Sequence, residues 1–214
     1  MEFDVPRHIG AIARSVTAGE RDGQPAHIVH ASRSFDSAID DVWDAVTNPE
    51  RIPRWFSPVS GDLKLGGRYQ IEGNASGTIE RCDPPRHLAL TWEFAGGKSW
   101  VELDLAPDNM GRTRLDLRHI AIVEPQYQWF FDQYGPGAVG VGWDLSFLGL
   151  AEHLETGWDK PPETDTEWTK SDNYKSFVAR SSEGWREASI GLGTDEKAAT
   201  EAAERTTKFY SGEG

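Results

Sequence analysis

The chain has 214 residues, a formal net charge of −13 and a hydrophobic fraction of 37%, with nine Trp and nine Phe among its apolar residues. The 35 acidic side chains, against 22 basic ones, disfavour binding to the phosphate backbone of a nucleic acid. No apolar run predicts a membrane span, the N-terminus lacks the order of a secretory signal, and the lone Cys82 cannot form an internal disulfide. We therefore expect a soluble, cytoplasmic protein.

The N-terminal region has the pattern of a β-hairpin. Two strand-like runs, 9–17 and 26–35, flank the segment Glu20-Arg21-Asp22-Gly23, and an Asp-Gly pair is typical of a tight turn between paired strands. The sequence therefore predicts antiparallel pairing of these two runs.

The segment that follows predicts a helix and then a second, shorter one. Asp36 or Ser37 can accept the first amide hydrogens of a helix, and Pro49 ends that helix while suiting the first turn of the next. The second helix, 49–54, delivers Trp55 and Phe56. The predicted buried face of the first helix consists of Ile39, Val42, Trp43 and Val46.

Five strand candidates follow, separated by turn sequences, and this spacing predicts an antiparallel meander. They are 68–72, 77–82, 87–94, 99–105 and 113–120. Because side chains alternate between the faces of a strand, the last three strands contribute one common inward face. Its predicted members are Leu88, Leu90, Trp92, Val101, Leu103, Leu105, Leu115, Leu117 and His119.

Residues 124–135 are aromatic and predict an irregular segment, after which 138–154 predicts a long helix. Trp143, Phe147, Leu150 and Leu154 form one apolar stripe on this helix. Gly140 and Gly142 lower its helix propensity by about 1 kcal/mol each relative to alanine, which indicates a close approach by a ligand or a neighbouring chain segment.

The composition changes after Gly157, where Pro161-Pro162 and acidic residues predict a linker. We expect a first domain over 1–157, including the hairpin, and a helical appendage over 158–214 with two helices. Helical spacing gives the first of these a predicted apolar face of Tyr174, Phe177, Val178, Ser181, Trp185 and Ala188. That face can pack on the same chain, on a second copy or on another protein, and we expect the first.

Four segments in this order, NPERIPRWF, GDLKLGGRY, GTIERCDPPRHLALTWEF and GRTRLDLRH, resemble the SRPBCC superfamily. The resemblance covers 27–157, and the branch it favours is named after the activator of heat-shock-protein-90 ATPase. It implies the α+β, START-like helix-grip fold, in which a curved antiparallel sheet wraps around a long C-terminal helix. Members of the superfamily include ligand carriers, hormone receptors, polyketide cyclases and co-chaperones, so function has to be argued from the site.

Motifs for catalysis or cofactor binding receive little support. Gly135 to Gly140 fits the dinucleotide pattern G-x-G-x-x-G but lacks the β-α-β context, and the six histidines have no zinc-ligand spacing. There is no nucleophile elbow, and Cys82 is interpreted as a buried, inert thiol. We expect no catalytic residue, no metal and no cofactor.

The resemblance implies an interior cavity, and the sequence predicts that it binds a small hydrophobic ligand, aromatic or polycyclic. The predicted ligand-binding residues are Trp55, Tyr69, Trp92, His119, Trp143 and Phe147. Core filling is the alternative for the aromatic residues, and a satisfied core histidine is the alternative for His119. Two other functions stay open: a co-chaperone-like adaptor that binds a chaperone or a second copy, and a metal-independent cyclase in which His119 transfers a proton.

Overall fold

The structure is a computed structural model that describes residues 4–160 and 167–213. Its helices are α1 (Val5–Gly10), α2 (Ile39–Thr47), α3 (Pro125–Tyr134), α4 (Gly137–Thr156), α5 (Glu167–Lys170), α6 (Asp172–Leu192) and α7 (Glu196–Ser211), with a short 3-10 helix at Ile52–Arg54. Its strands are β1 (Ala13–Arg21), β2 (Gln24–Phe35), β3 (Val59–Gly61), β4 (Arg68–Ile71), β5 (Ser76–Asp83), β6 (His87–Phe94), β7 (Gly97–Pro107) and β8 (Thr113–Ile122).

The strands form one eight-stranded sheet in the order β1-β2-β8-β7-β6-β5-β4-β3. The predicted meander is confirmed, since each strand from β3 to β7 pairs antiparallel with the next. The predicted common face is confirmed as well, because Leu88 lies opposite Leu103, and Leu103 lies opposite Leu117. Side chains directly opposite one another in paired strands point to the same side of the sheet.

The chain divides into two compact units. Unit 1 comprises Met1–Ala31, Ile122–Leu145 and Pro161–Gly214, and unit 2 comprises Ser32–Ala121 and Ser146–Lys160. Helix α4 thus contributes its first half to unit 1 and its second half to unit 2. The sequence-based boundary between 157 and 158 stays a prediction, and the predicted Pro161-Pro162 linker lies outside the described residues.

In unit 1, the C-terminal helices pack on their own chain. Helix α6 contacts β1 and α1, and α7 contacts α6 and α3. The predicted face of α6 is buried at Tyr174, Phe177, Val178, Ser181 and Trp185. These contacts cover the apolar stripe of α6 within the same chain.

A buried carboxylate, that of Asp144, lies in unit 1. The Oδ2 atom of Asp144 accepts hydrogen bonds from Arg14 Nε at 2.8 Å, Ser181 Oγ at 2.5 Å and Trp185 Nε1 at 3.1 Å. Burial raises the pKa of Asp144, while the Arg14 guanidinium and the other two donors oppose that rise. This network joins β1, α4 and α6, because Arg14 lies on β1, Asp144 on α4, and Ser181 and Trp185 on α6.

At Gly140, near the start of α4, the structure shows why a glycine is needed. A Cβ built on Gly140 would lie 2.2 Å from Cε2 of Trp185, whose side chain is almost entirely buried. Of the two explanations that the sequence offered, a ligand or a neighbouring chain segment, the structure supports the second, with an indole as the neighbour.

In unit 2, Arg51 joins α2, the 3-10 helix and the second half of α4. Its Nη1 atom lies 2.6 Å from Asp41 Oδ1 and 3.1 Å from Asp44 Oδ2, and its Nε donates to His153 Nε2 at 3.0 Å. Since Nε2 accepts this bond, the ring proton of His153 is on Nδ1, which donates to the carbonyl oxygen of Trp158 at 3.0 Å. The cluster therefore connects α2, the 3-10 helix and the second half of α4 to one another.

Three expectations about local structure were wrong. Residues 125–134 form α3 instead of an irregular segment, because Pro125 suits the first turn of a helix and Gly135, at φ 62°, ends it. The N-terminal strand begins at Ala13, since Asp4 caps a short helix by accepting from Arg7 N at 3.0 Å.

The third error concerns the start of α2. Its N-cap is Ala38, without a side-chain cap, and neither Asp36 nor Ser37 has that role. The hydroxyl of Ser37 donates to the carboxylate of Asp41. The predicted face is otherwise present, since Val42 and Val46 are buried and Trp43 is partly buried.

Candidate functional site

The candidate site lies on the common face of β6, β7 and β8 in unit 2. Trp92 lies directly opposite Ser99, and Val101, two residues further along β7, lies opposite His119. Because residues two apart share a face of a strand, Trp92, Ser99 and His119 project from the same side of the sheet. The register therefore brings two of the predicted ligand-binding residues together.

His119 is buried and hydrogen-bonded to Ser99. Its Nε2 atom lies 2.8 Å from Ser99 Oγ, and that hydroxyl also lies 3.2 Å from the backbone carbonyl oxygen of Trp92. A carbonyl only accepts, so the hydroxyl proton points to Trp92, and Nε2–H of His119 donates to Ser99. Burial lowers the pKa of His119 from 6.5 to about 4, so the ring is neutral at pH 7.

An apolar surface, the sheet-face cluster, adjoins this pair. Its buried members are Tyr69, Ile71, Ile79 and Leu88, and its partly buried members are Trp43, Phe56, Val59, Leu63, Cys82, Leu90, Trp92 and Leu103. The ring of Trp92 lies 6.1 Å from that of His119, at an interplanar angle of 58°. The cluster therefore presents apolar area next to one polar pair.

Tyr69 belongs to this cluster through its ring, while its hydroxyl bonds to the sheet. Tyr69 Oη donates to the carbonyl oxygen of Thr91 at 2.6 Å, and burial raises the pKa of the phenol. The hydroxyl of Tyr69 is therefore bonded to the neighbouring part of the sheet, at Thr91 of β6.

Trp55 joins the 3-10 helix to the end of α2. Its Nε1 atom donates to the carbonyl oxygen of Ala45 at 2.8 Å, and its ring lies 5.6 Å from that of Phe56, a member of the sheet-face cluster. The backbone of Trp55 also lies close to α4, because a Cβ built on Gly149 would be 2.5 Å from the carbonyl oxygen of Trp55.

The two predicted residues on α4 have different surroundings. Phe147 is buried and packs edge-on against Phe35 of β2, with ring centroids 6.1 Å apart. Trp143 is partly buried and lies in the half of α4 that belongs to unit 1. The ligand-binding roles of all six predicted residues stay predictions.

Ser99 is the site residue that sequence reasoning missed. A two-residue turn at Ala95-Gly96, where φ is 50° and 82°, makes Phe94 and Gly97 partners and so sets Trp92 opposite Ser99. The sequence indicated a turn between the strand candidates 87–94 and 99–105, but left the exact position of that turn open. Counting outward from Ala95-Gly96 would have identified Ser99.

Within residues 4–160 and 167–213, no three His, Cys, Asp or Glu side chains group as a metal site. In the same residues, no helix is both long enough and apolar enough to cross a membrane.

Comparison with known proteins first defines the class. The crystal structure of CalU16 from Micromonospora echinospora is 31% identical, with a TM-score of 0.65, over 86% of this chain and 99% of that one. Its solution NMR structure is 30% identical, with a TM-score of 0.67, over 86% and 95% of the two chains. DynU16, described as a putative protein in the dynemicin biosynthetic locus, is similar in fold at 24% identity and a TM-score of 0.53, over 62% of this chain and 48% of that one.

These likenesses, together with the antiparallel sheet and the long α4, confirm the α+β helix-grip fold of the SRPBCC superfamily. The model of the family "Activator of Hsp90 ATPase homolog 1-like protein" matches residues 36–155, more than half of the chain. The chain belongs to this family. No curated protein matches it.

Proposed function

We propose that unit 2 binds a small apolar molecule, aromatic or polycyclic, against the sheet-face cluster. The observation that carries this proposal is uneven burial on one face of the sheet. Leu90, Trp92 and Leu103 are only partly buried, although Val101 and Leu117 on the same face are buried. Apolar area that stays accessible beside a packed core is what a hydrophobic ligand needs.

The chemistry of the site favours a ligand with one uncharged polar substituent. Trp92, Trp43 and Phe56 offer flat apolar surfaces, and His119 with Ser99 is the polar pair beside them. Because the pKa of His119 is about 4, the ring carries no charge at pH 7 with which to attract a carboxylate. A hydroxyl or carbonyl substituent suits this environment better than a charged one. Trp55 and Phe147, which also belong to unit 2, complete the proposed site.

Tryptophan fluorescence titration tests this proposal with pairs of aromatic compounds that differ by one hydroxyl group. His119→Ala should weaken the hydroxylated member of each pair more than the other, because a buried polar group without a partner costs about 1–3 kcal/mol. His87→Ala is the matched control, since His87 lies on the opposite face of β6 and binds Asp104 at 2.7 Å. Equal losses within each pair would remove His119 from the site, and no binding at all would refute the proposal.

A cyclase-like reaction receives less support from the same residue. A general acid or base works best when its pKa lies near the working pH, and burial lowers that of His119 to about 4. We therefore propose binding without a chemical step.

An adaptor function is the second candidate, and one observation favours it. Trp129 of α3 and Phe209 of α7 are exposed by 58% and 60% of their surface, and a run of ring contacts through Phe130 and Tyr134 links them. Exposed aromatic side chains are enriched where proteins bind one another. With the family description, this makes a chaperone ATPase the partner to test.

The test measures the ATPase rate of a purified Hsp90 chaperone with and without this protein. Stimulation that Trp129→Ala abolishes would support the adaptor function. Met110→Ala is the control, because Met110 is 77% exposed in the turn between β7 and β8 of unit 2. If the unaltered protein does not change the ATPase rate of the chaperone, the adaptor function is refuted.

A further inference from the structure

Unit 1 contains a groove that the proposed ligand site does not use. It has a volume of about 470 Å³ and runs between the edge strand β1 and helix α6. The lining residues are Ile12, Arg14, Ser15 and Val16 on one side and Gly184, Glu187, Ala188 and Gly191 on the other. We propose that this groove binds a basic peptide segment of another protein, which adds to β1 as an extended strand.

The first argument is the free edge of the sheet. Strand β1 is terminal in the sheet order, so within the described residues no further strand pairs with its outer side. A strand edge of this kind carries unpaired N–H and C=O groups and is a template for another extended chain.

The second argument is which backbone groups face outward. Asp22 and Gly23 form a two-residue turn with positive φ at both positions, which makes Arg21 and Gln24 the first hydrogen-bonded pair of the hairpin. Such pairs alternate along antiparallel strands, so the N–H and C=O groups of Arg14 and Val16 fall on the outer edge. Both residues line the groove, and an added strand would therefore meet four backbone hydrogen-bonding groups there.

The third argument is space on the opposite wall. Ala188 and Gly191 leave the facing side of α6 without bulk, and a Cβ built on Gly191 meets no atom within 4 Å. Gly184 has a different role, because Arg14 Cδ would lie 3.2 Å from its added Cβ. The open space beside β1 therefore lies towards Gly191.

The fourth argument is charge. Arg14 and Glu187 are the ionisable residues of the lining, and Arg14 is bound to the buried Asp144 at 2.8 Å. Glu187 is exposed and gives the groove its remaining charge, within a chain of net charge −13. A Lys or Arg side chain of the bound strand would lie favourably beside Glu187, whereas edge pairing with a second copy would bring two strongly acidic chains together.

Fluorescence anisotropy at low salt tests the proposal with a labelled seven-residue peptide of alternating Val and Lys. We expect binding that weakens about tenfold or more when the backbone amides on one edge of the peptide are N-methylated, because methylation removes strand pairing and keeps the charge. The same peptide with Glu in place of Lys should bind about tenfold more weakly or not at all.

Variants of the protein locate the site. Gly191→Leu should weaken binding about tenfold or more by filling the groove, and Glu187→Gln should weaken it and reduce its salt dependence. Ala179→Leu, at an exposed position of α6 outside the groove, is the matched control and should bind as the unaltered protein does. Absence of binding, or binding indifferent to both N-methylation and Gly191→Leu, would overturn the proposal. So would a dimer in sedimentation that Gly191→Leu dissociates, because the occupant would then be a second copy.

Discussion

The buried ring of His119 should make the stability of the protein depend on pH. Burial lowers the pKa of His119 from 6.5 to about 4. Between these two pH values, His119 is therefore mostly protonated in the unfolded chain and mostly neutral in the folded chain. When the unfolded state binds more protons, the free energy of unfolding falls as the pH falls. One pKa unit corresponds to about 1.36 kcal/mol, so the contribution lost between pH 7 and pH 5 is about 2 kcal/mol.

His119→Gln isolates this contribution, because glutamine does not titrate and its amide can still donate to Ser99. Urea unfolding at pH 7 and pH 5, followed by tryptophan fluorescence, gives the free energy of unfolding of both proteins. The unaltered protein should lose about 2 kcal/mol more than the variant between the two pH values, since all other titrating groups are common to both. Equal losses would show that the ring accepts a proton in the folded state, which would refute the argument from burial.

Two further predictions concern packing and a carboxylate. Gly140→Ala should lower the free energy of unfolding, measured in urea, by about 2–4 kcal/mol. The new methyl group overlaps the buried indole of Trp185 and disturbs the hydrogen bond from that indole to Asp144. This cost exceeds the gain in helix propensity of about 1 kcal/mol. Gly191→Ala is the control, because its methyl group meets nothing within 4 Å, and it should raise the free energy of unfolding by about 0.5–1 kcal/mol. If the Gly140→Ala protein were as stable as the original, the packing of Trp185 against Gly140 would be contradicted. Desolvation raises the pKa of Asp108, but hydrogen bonds from the Met110 amide and from Arg112 outweigh it and lower that pKa to about 2. The stabilisation that ionised Asp108 provides is therefore present above the pKa of the unfolded chain and lost as the pH falls through about 2. An NMR titration of the Asp108 carboxyl carbon with a midpoint near 4 would contradict this prediction.

The sequence predicted best what depends on local periodicity. Strand alternation correctly grouped Trp92 with Leu90 and His119 with Leu117. Because side chains alternate with a period of two, one inward-facing residue determines the face of every other residue in its strand. It missed Ser99, since the cross-strand partner depends on the exact position of the turn.

Contacts between distant segments could not be predicted in the same way. Trp185 fills the space that Gly140 leaves, but the two residues are far apart along the chain. The sequence around either residue does not indicate a contact with the other. The helix at 125–134 was missed for a different reason, because its aromatic residues have low helix propensity and its contacts with α7 compensate for it.

The division of helix α4 between two units has a consequence for synthesis. Every residue of unit 2 lies between Ser32 and Lys160, whereas unit 1 needs its last segment, which ends at Gly214. On a ribosome the chain emerges from the N-terminus, so the strands and the half-helix of unit 2 are all available while α6 and α7 are still being translated. The hairpin must therefore wait for its helical partners, and until they arrive Arg14 and Asp144 have neither Ser181 nor Trp185 to shield them from water.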